Sequence, residues 1–216
     1  MTLSTDGPVA QCAQHGDYSL HTGCFGCHAS ADRGRLIVLC SPAMGSGKST
    51  VAAHLVKHHG FIKEAFATPL KKMTEGLFTA LGMPASEIED RVYGSRKEEV
   101  VPGIGVSSRR IQQTIGTEWG RHCIGESLWT DITMSLCNTI RAAGINVVID
   151  DMRFPNELAA VQAAGGECWR IQRPGVAVTA QHASEGALDH VAMRTLDNGL
   201  TIKDLRAVID EALVAS

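Results

Sequence analysis

The chain has 216 residues, 44% of them hydrophobic and 20% charged, and 20 Lys and Arg against 23 Asp and Glu leave a net charge of −3. That length suits one α/β domain with a small addition, and the mixed composition excludes a disordered or fibrous chain. The acidic balance argues against a protein that coats nucleic acid by bulk electrostatics, and no apolar run approaches the roughly 20 residues of a membrane-spanning helix.

The first 33 residues are rich in Cys, His, Gly and Ser and show little apolar periodicity. This sets a boundary between a segment, 1–33, and a domain, 34–216. Residues 1–10 lack the basic-then-apolar pattern of a secretory signal, so the expectation is a cytoplasmic protein with reduced thiols. Within the segment, Cys12, His15, Cys24 and Cys27 form two pairs of ligands three residues apart. A tetrahedral zinc ion takes that spacing from one imidazole and three thiolates. His21 and His28 are rival ligands. Four protein ligands leave no open position, so this Zn²⁺ would be structural, folding a zinc-knuckle-like segment too small for a core of its own.

Residues 35–40 (Arg-Leu-Ile-Val-Leu-Cys) are a continuous apolar run, the pattern of a parallel strand buried on both faces. A helix over 48–59 follows and Gly60 ends it. A second strand is expected over 61–67, and Pro69 can open the helix after it. A helical, loop-rich region then runs to about Gly144. The next strand, 145–149 (Ile-Asn-Val-Val-Ile), is closed by Asp150 and Asp151. A helix over 155–164, a strand over 167–172 and an amphipathic helix over 201–214 complete the pattern. Strands alternating with helices imply a parallel sheet with right-handed crossovers, flanked by helices in three layers. Cys40, Cys123, Cys137 and Cys168 read as buried thiols, and Met73 and Met83 as core residues. His58 and His59, at a helix end, read as solvent-facing or as caps.

Between the first apolar strand and its helix stands Gly45-Ser46-Gly47-Lys48-Ser49-Thr50. Glycines let a backbone approach an anion closely, and a helix N-terminus adds donor N–H groups and partial positive charge. Lys48 would neutralise the β- and γ-phosphates of ATP, and the Ser49 hydroxyl would join a magnesium shell. Pro42 stands where the usual phosphate loop has its first glycine. One of Asp150 and Asp151, at the end of a neighbouring strand, is the expected second magnesium ligand, with a helix N-cap as the other reading of Asp151. The fold expected is thus that of a P-loop NTPase.

Four blocks carry a family likeness. The first is Gly47-Lys48-Ser49-Thr50-Val51-Ala52, and the second is Phe66-Ala67-Thr68-Pro69-Leu70-Lys71. The third runs from Ser107-Ser108-Arg109 through Gln113 to Gly116-Thr117-Glu118-Trp119-Gly120-Arg121, with Trp129 beyond it. The fourth is Asp151-Met152-Arg153-Phe154-Pro155-Asn156-Glu157, followed by Arg170-Ile171-Gln172-Arg173-Pro174. Weaker matches stand at His182-Ala183-Ser184-Glu185 and Asp197-Asn198-Gly199. Residues 35–210 thereby resemble the phage-type deoxynucleoside monophosphate kinases, a branch of the P-loop nucleoside monophosphate kinases.

The resemblance implies ATP-dependent phosphorylation of deoxynucleoside monophosphates, with ATP and the monophosphate as small-molecule partners. It also implies a site in the cytoplasm, that of the host if the chain is phage-encoded. Two polyanions must be brought together, so several arginines are expected around the transferred group. Arg109 and Arg121 are assigned to the acceptor phosphate, Arg153 to the transferred group, and Arg170 and Arg173 to a lid over it. Gln113, one turn after Arg109, would hydrogen-bond the base or sugar, and Trp119 could stack on the base, although both Trp119 and Trp129 suit a core equally. No general base is needed, because the acceptor oxygen is already ionised. Two alternatives stand beside this reading. One is another small-molecule P-loop kinase, such as a dephospho-coenzyme A kinase. The other is a nucleic-acid-associated ATPase using the zinc segment, which the acidic charge and the absence of a basic stripe disfavour. A homodimer is left open.

Overall fold

Alternate side chains of the apolar run at 36–40 point into two different helical layers, and that division organises the domain. The computed structural model describes residues 9–12, 16–19, 33–43, 45–176, 188–199 and 201–215. β1 (Val9–Cys12) and β2 (Gly16–Ser19) pair antiparallel in a two-stranded sheet of their own. The first half of the domain comprises β3 (Leu36–Cys40), α1 (Lys48–His59), β4 (Ile62–Glu64), α2 (Thr68–Ala80), α3 (Ala85–Val92) and α4 (Ser108–Gln113). A π-helical stretch (Thr114–Ile124) leads to α5 (Leu128–Ala142), β5 (Val147–Ile149), α6 (Pro155–Ala163), β6 (Glu167–Gln172), β7 (Arg194–Asp197) and α7 (Ile202–Val214).

The main sheet has the order β4-β5-β3-β6-β7 and every pairing in it is parallel. On one face Ile37 and Leu39 pack with Val51 and Leu55 of α1 and Leu205 and Ile209 of α7. On the other, Leu36, Val38 and Cys40 pack with Met134 and Cys137 of α5 and Leu158 and Val161 of α6. Each such side chain taken out of water contributes roughly 1.5–3 kcal/mol. A separate apolar cluster, Phe78, Ile88, Val92, Val101 and Ile111, joins α2, α3 and α4. β3 is flanked by β5 and β6, so the chain leaves it in opposite directions on its two sides. Ligands of open α/β sheets settle at the carboxyl ends of strands at such a switch point.

Some expectations need correction. The strand expected over 61–67 is only Ile62–Glu64, because residues 65–67 turn into α2. Cys123 is exposed rather than buried, its thiol donating to the Glu118 carbonyl at 3.1 Å, and Met73 is 41% exposed on the outer face of α2. Of the zinc candidates, His15, Cys24, Cys27 and the side chain of Cys12 lie outside the described residues, as does the 182–185 block. Among the described residues no helix is long and apolar enough to cross a membrane.

Candidate active site

The turn from β3 into α1 is made possible by glycine. Gly45 and Gly47 have φ of 74° and 104°, a region that side-chain-bearing residues rarely adopt. At Gly47 a Cβ would also collide with the Asn198 side chain, which donates to the Ser46 carbonyl at 2.8 Å. Lys48, the first residue of α1, donates to Ser41 Oγ at 2.5 Å, and Ser41 in turn donates to the Ala43 carbonyl at 2.7 Å. Burial, followed by the nearby Arg153, pulls the Lys48 pKa below the usual lysine range. Ser46 Oγ is buried with no hydrogen-bond partner among the described residues. An orphaned buried hydroxyl beside a ring of backbone N–H groups fits an anion that would complete it. Ser49, Thr50 and Arg173 line the same pocket, and Arg173 reaches the Gly45 carbonyl at 3.4 Å.

The two aspartates after β5 are held differently. Asp151 is half-buried, and its two carboxylate oxygens accept the backbone N–H groups of Phe66 and Ala67 at 2.8 and 3.0 Å. Those amides stand just before α2, so Asp151 fixes where that helix begins. Asp150 pairs instead with Lys63 at 2.6 Å.

A second cleft opens beside the loop. Arg109 and Gln113 of α4, Arg121 of the π-helical stretch and Arg153 before α6 line it together, with Asp151 and Phe154 in its walls. Arg109 pairs with the exposed Glu98 at 2.9 Å. Arg121 lies 3.7 Å above the Phe154 ring. The wide turns of a π-helix are uncommon and occur often at functional sites. Here the stretch is held by Trp129, whose indole donates to the Gly116 carbonyl at 2.8 Å and fills the space a side chain at Gly120 would need. Arg121 follows Gly120 directly, so this packing sets where its guanidinium emerges. Arg153 is exposed and has no ion-pair partner among the described residues.

Not every expected residue joins these two clefts. Trp119 is 42% exposed and packs against Trp129, 6.1 Å between ring centres, outside the cleft wall. Arg170 is drawn the other way, donating to the carbonyls of Leu188 and Val191 at 2.6 and 2.9 Å. Sequence reading passed over Ser41, Phe154, Asn198 and Glu157. Phe154, Glu157 and Asn198 fall in motif blocks, but Arg121, which meets the first two, and Ser46, which meets the third, are distant in sequence.

The chain matches no protein-family model. It is 30% identical, over 185 residues, to a protein of Acanthamoeba polyphaga mimivirus that bears the provisional name deoxynucleotide monophosphate kinase. The match covers 76% of this chain and 89% of that relative. Among solved structures it is similar to dephospho-CoA kinase from Campylobacter jejuni, with a TM-score of 0.50 at 10% identity, covering 84% of this chain and 96% of that one. It is also similar to a sugar kinase from Janibacter, with a TM-score of 0.45 at 15% identity and coverage of 84% and 93%. At 10% identity the likeness to dephospho-CoA kinase is one of fold.

Proposed function

The chain belongs to the deoxynucleotide monophosphate kinase family, and from that premise we propose that it transfers the γ-phosphoryl group of ATP to a deoxynucleoside monophosphate. The four motif blocks support the narrower placement with the phage-type branch, acting in a host cytoplasm. An oxygen of the acceptor phosphate forms a bond to the γ-phosphorus, the bond from that phosphorus to the β–γ bridging oxygen breaks, and ADP leaves with that oxygen. The observation that carries this reading is the gathering of Arg109, Arg121 and Arg153 in one cleft next to Lys48. The lining sets three arginines against the carboxyl groups of Asp151 and Glu157, and a transferred phosphoryl group supplies the negative charge that the excess calls for.

The roles then follow from position. The backbone of residues 45–50 cradles the ATP phosphates, and Lys48 leaves Ser41 to meet them. Arg109 and Arg121 hold the acceptor phosphate, and Gln113 stands on the same helix to meet its sugar or base. Arg153, between the two clefts, and Arg173, at the loop, neutralise charge on the moving group. Magnesium supplies further neutralisation when bound with ATP, and we assign it to Ser49 and Asp150, since both oxygens of Asp151 are engaged by backbone amides.

The test is ADP release by the full chain, with ATP and magnesium, over a panel of deoxynucleoside and ribonucleoside monophosphates. Turnover dependent on at least one deoxynucleoside monophosphate is expected. Turnover raised only by dephospho-coenzyme A, or by DNA or RNA, overturns the proposal.

A further inference from the structure

The far end of α1 carries a polar cluster that phosphoryl transfer does not use. His54 and His59 each direct Nε2 at the same atom, Oδ1 of Asp210 on α7, both at 2.8 Å. The three donor atoms lie within 4.8 Å of one another. His54 is 8% exposed, and its Nδ1 is buried without a hydrogen-bond partner, so among the described residues the bond to Asp210 is the ring's only hydrogen bond. A buried imidazole nitrogen without a hydrogen bond calls for an explanation. Asp210 and His59 are more open, at 51% and 30% side-chain exposure, which gives the cluster a buried root and a solvent-facing mouth.

Two imidazoles and one carboxylate form a donor set suited to zinc-class transition ions rather than to magnesium or calcium, which take oxygen. Zinc–ligand bonds of about 2.0–2.2 Å place tetrahedral ligand atoms roughly 3.3–3.6 Å apart. The present 2.8 Å separations open to that value with a movement of about 0.5 Å, which the half-exposed Asp210 and the terminal helical residue His59 allow. We propose that His54, His59 and Asp210 form a binding site for a divalent transition ion of the zinc class, with water in the fourth position. The ion joins α1, which begins at Lys48, to α7, whose Ile202 and Leu205 line the phosphate-loop pocket. The site is separate from the cysteine segment and contains no thiolate.

That last difference allows a clean test. Metal-stripped full chain is titrated with Co²⁺, which gives intense near-ultraviolet charge-transfer bands with thiolates and only weak visible bands with nitrogen and oxygen ligands. One equivalent is expected to show visible bands without thiolate charge transfer. His59→Ala and Asp210→Asn, both at solvent-accessible positions, should weaken that equivalent at least tenfold, and Cys24→Ser should leave it unchanged. Zn²⁺ should raise the melting temperature of Cys24→Ser protein, but not when His59→Ala is added. Equal cobalt binding by the wild type and both variants, or thiolate-type bands alone, would overturn the proposal.

Discussion

Glu157 and Arg121 meet 3.5 Å apart in the wall of the acceptor cleft, with side chains only 5% and 12% exposed. The other oxygen of Glu157 accepts the backbone N–H groups of Arg153 and Phe154 at 2.7 and 3.0 Å. One carboxyl group therefore steadies Arg121, the ring beneath it and the start of α6. Burial pushes the Glu157 pKa up to about 7, outweighing the amides and Arg121, which pull it down. Between the ordinary glutamate range near 4.5 and about 7, the folded chain then holds a proton that the unfolded chain has lost. Stability should fall as pH rises through that window and level off above it. Glu157→Gln should flatten this slope, as read from urea midpoints between pH 4.5 and 8. Parallel slopes in the two proteins would remove Glu157 as its source.

Asp150 and Asp151 should separate chemistry from structure. Asp151→Asn can accept only one of the two amides with its single carbonyl, and should lower stability by about 1–3 kcal/mol. Asp150→Asn breaks a pair with a half-exposed lysine, worth less than about 1 kcal/mol, yet should reduce kcat about a hundredfold and weaken the response to magnesium. Denaturation and magnesium-dependent kinetics on both variants decide the assignment, and the reverse pattern would exchange the two roles.

Lys48→Ala should leave the fold intact and remove phosphoryl transfer. Losing its charge from the developing transition state costs several kcal/mol. A variant that keeps more than about a tenth of wild-type kcat would place the phosphates elsewhere.

The cysteine segment should be dispensable for chemistry. All the kinase motifs follow residue 34, so a chain beginning there is expected to phosphorylate its acceptor within a few-fold of the full protein. Elemental analysis of the full chain should show one zinc equivalent that disappears on Cys24→Ser, apart from the metal held by His54, His59 and Asp210, which that change leaves in place. An inactive truncation would mean that the segment helps build the active site.

What the sequence made legible follows the depth of burial. β3 matches its expected span closely because a strand covered on both faces leaves an uninterrupted apolar signature, and β6 matches its span although only Trp169 and Ile171 in it are buried. β7 escaped notice because Arg194-Thr-Leu-Asp is an edge strand with one core residue, Leu196. The stretch from 69 to 113 read as loop-rich because α2, α3 and α4 pack on a small core of their own, and nothing local signals the π-helix after it. Arg109, Gln113, Arg121 and Arg153 were found through motif likeness, and the structure brings them to one cleft. The cluster of His54, His59 and Asp210 could not be found that way, since the fold joins residues more than 150 positions apart.

The central claim is that the cleft holding Arg109 and Arg121 receives the acceptor monophosphate while ATP sits on the phosphate loop. Two-substrate kinetics on Arg109→Ala and Arg121→Ala test it most directly. A charge-assisted hydrogen bond to phosphate is worth roughly 1.5–3 kcal/mol, so KM for the deoxynucleoside monophosphate should rise about 10- to 100-fold while KM for ATP stays within about twofold. Equal changes for both substrates, or no change for either, would contradict it.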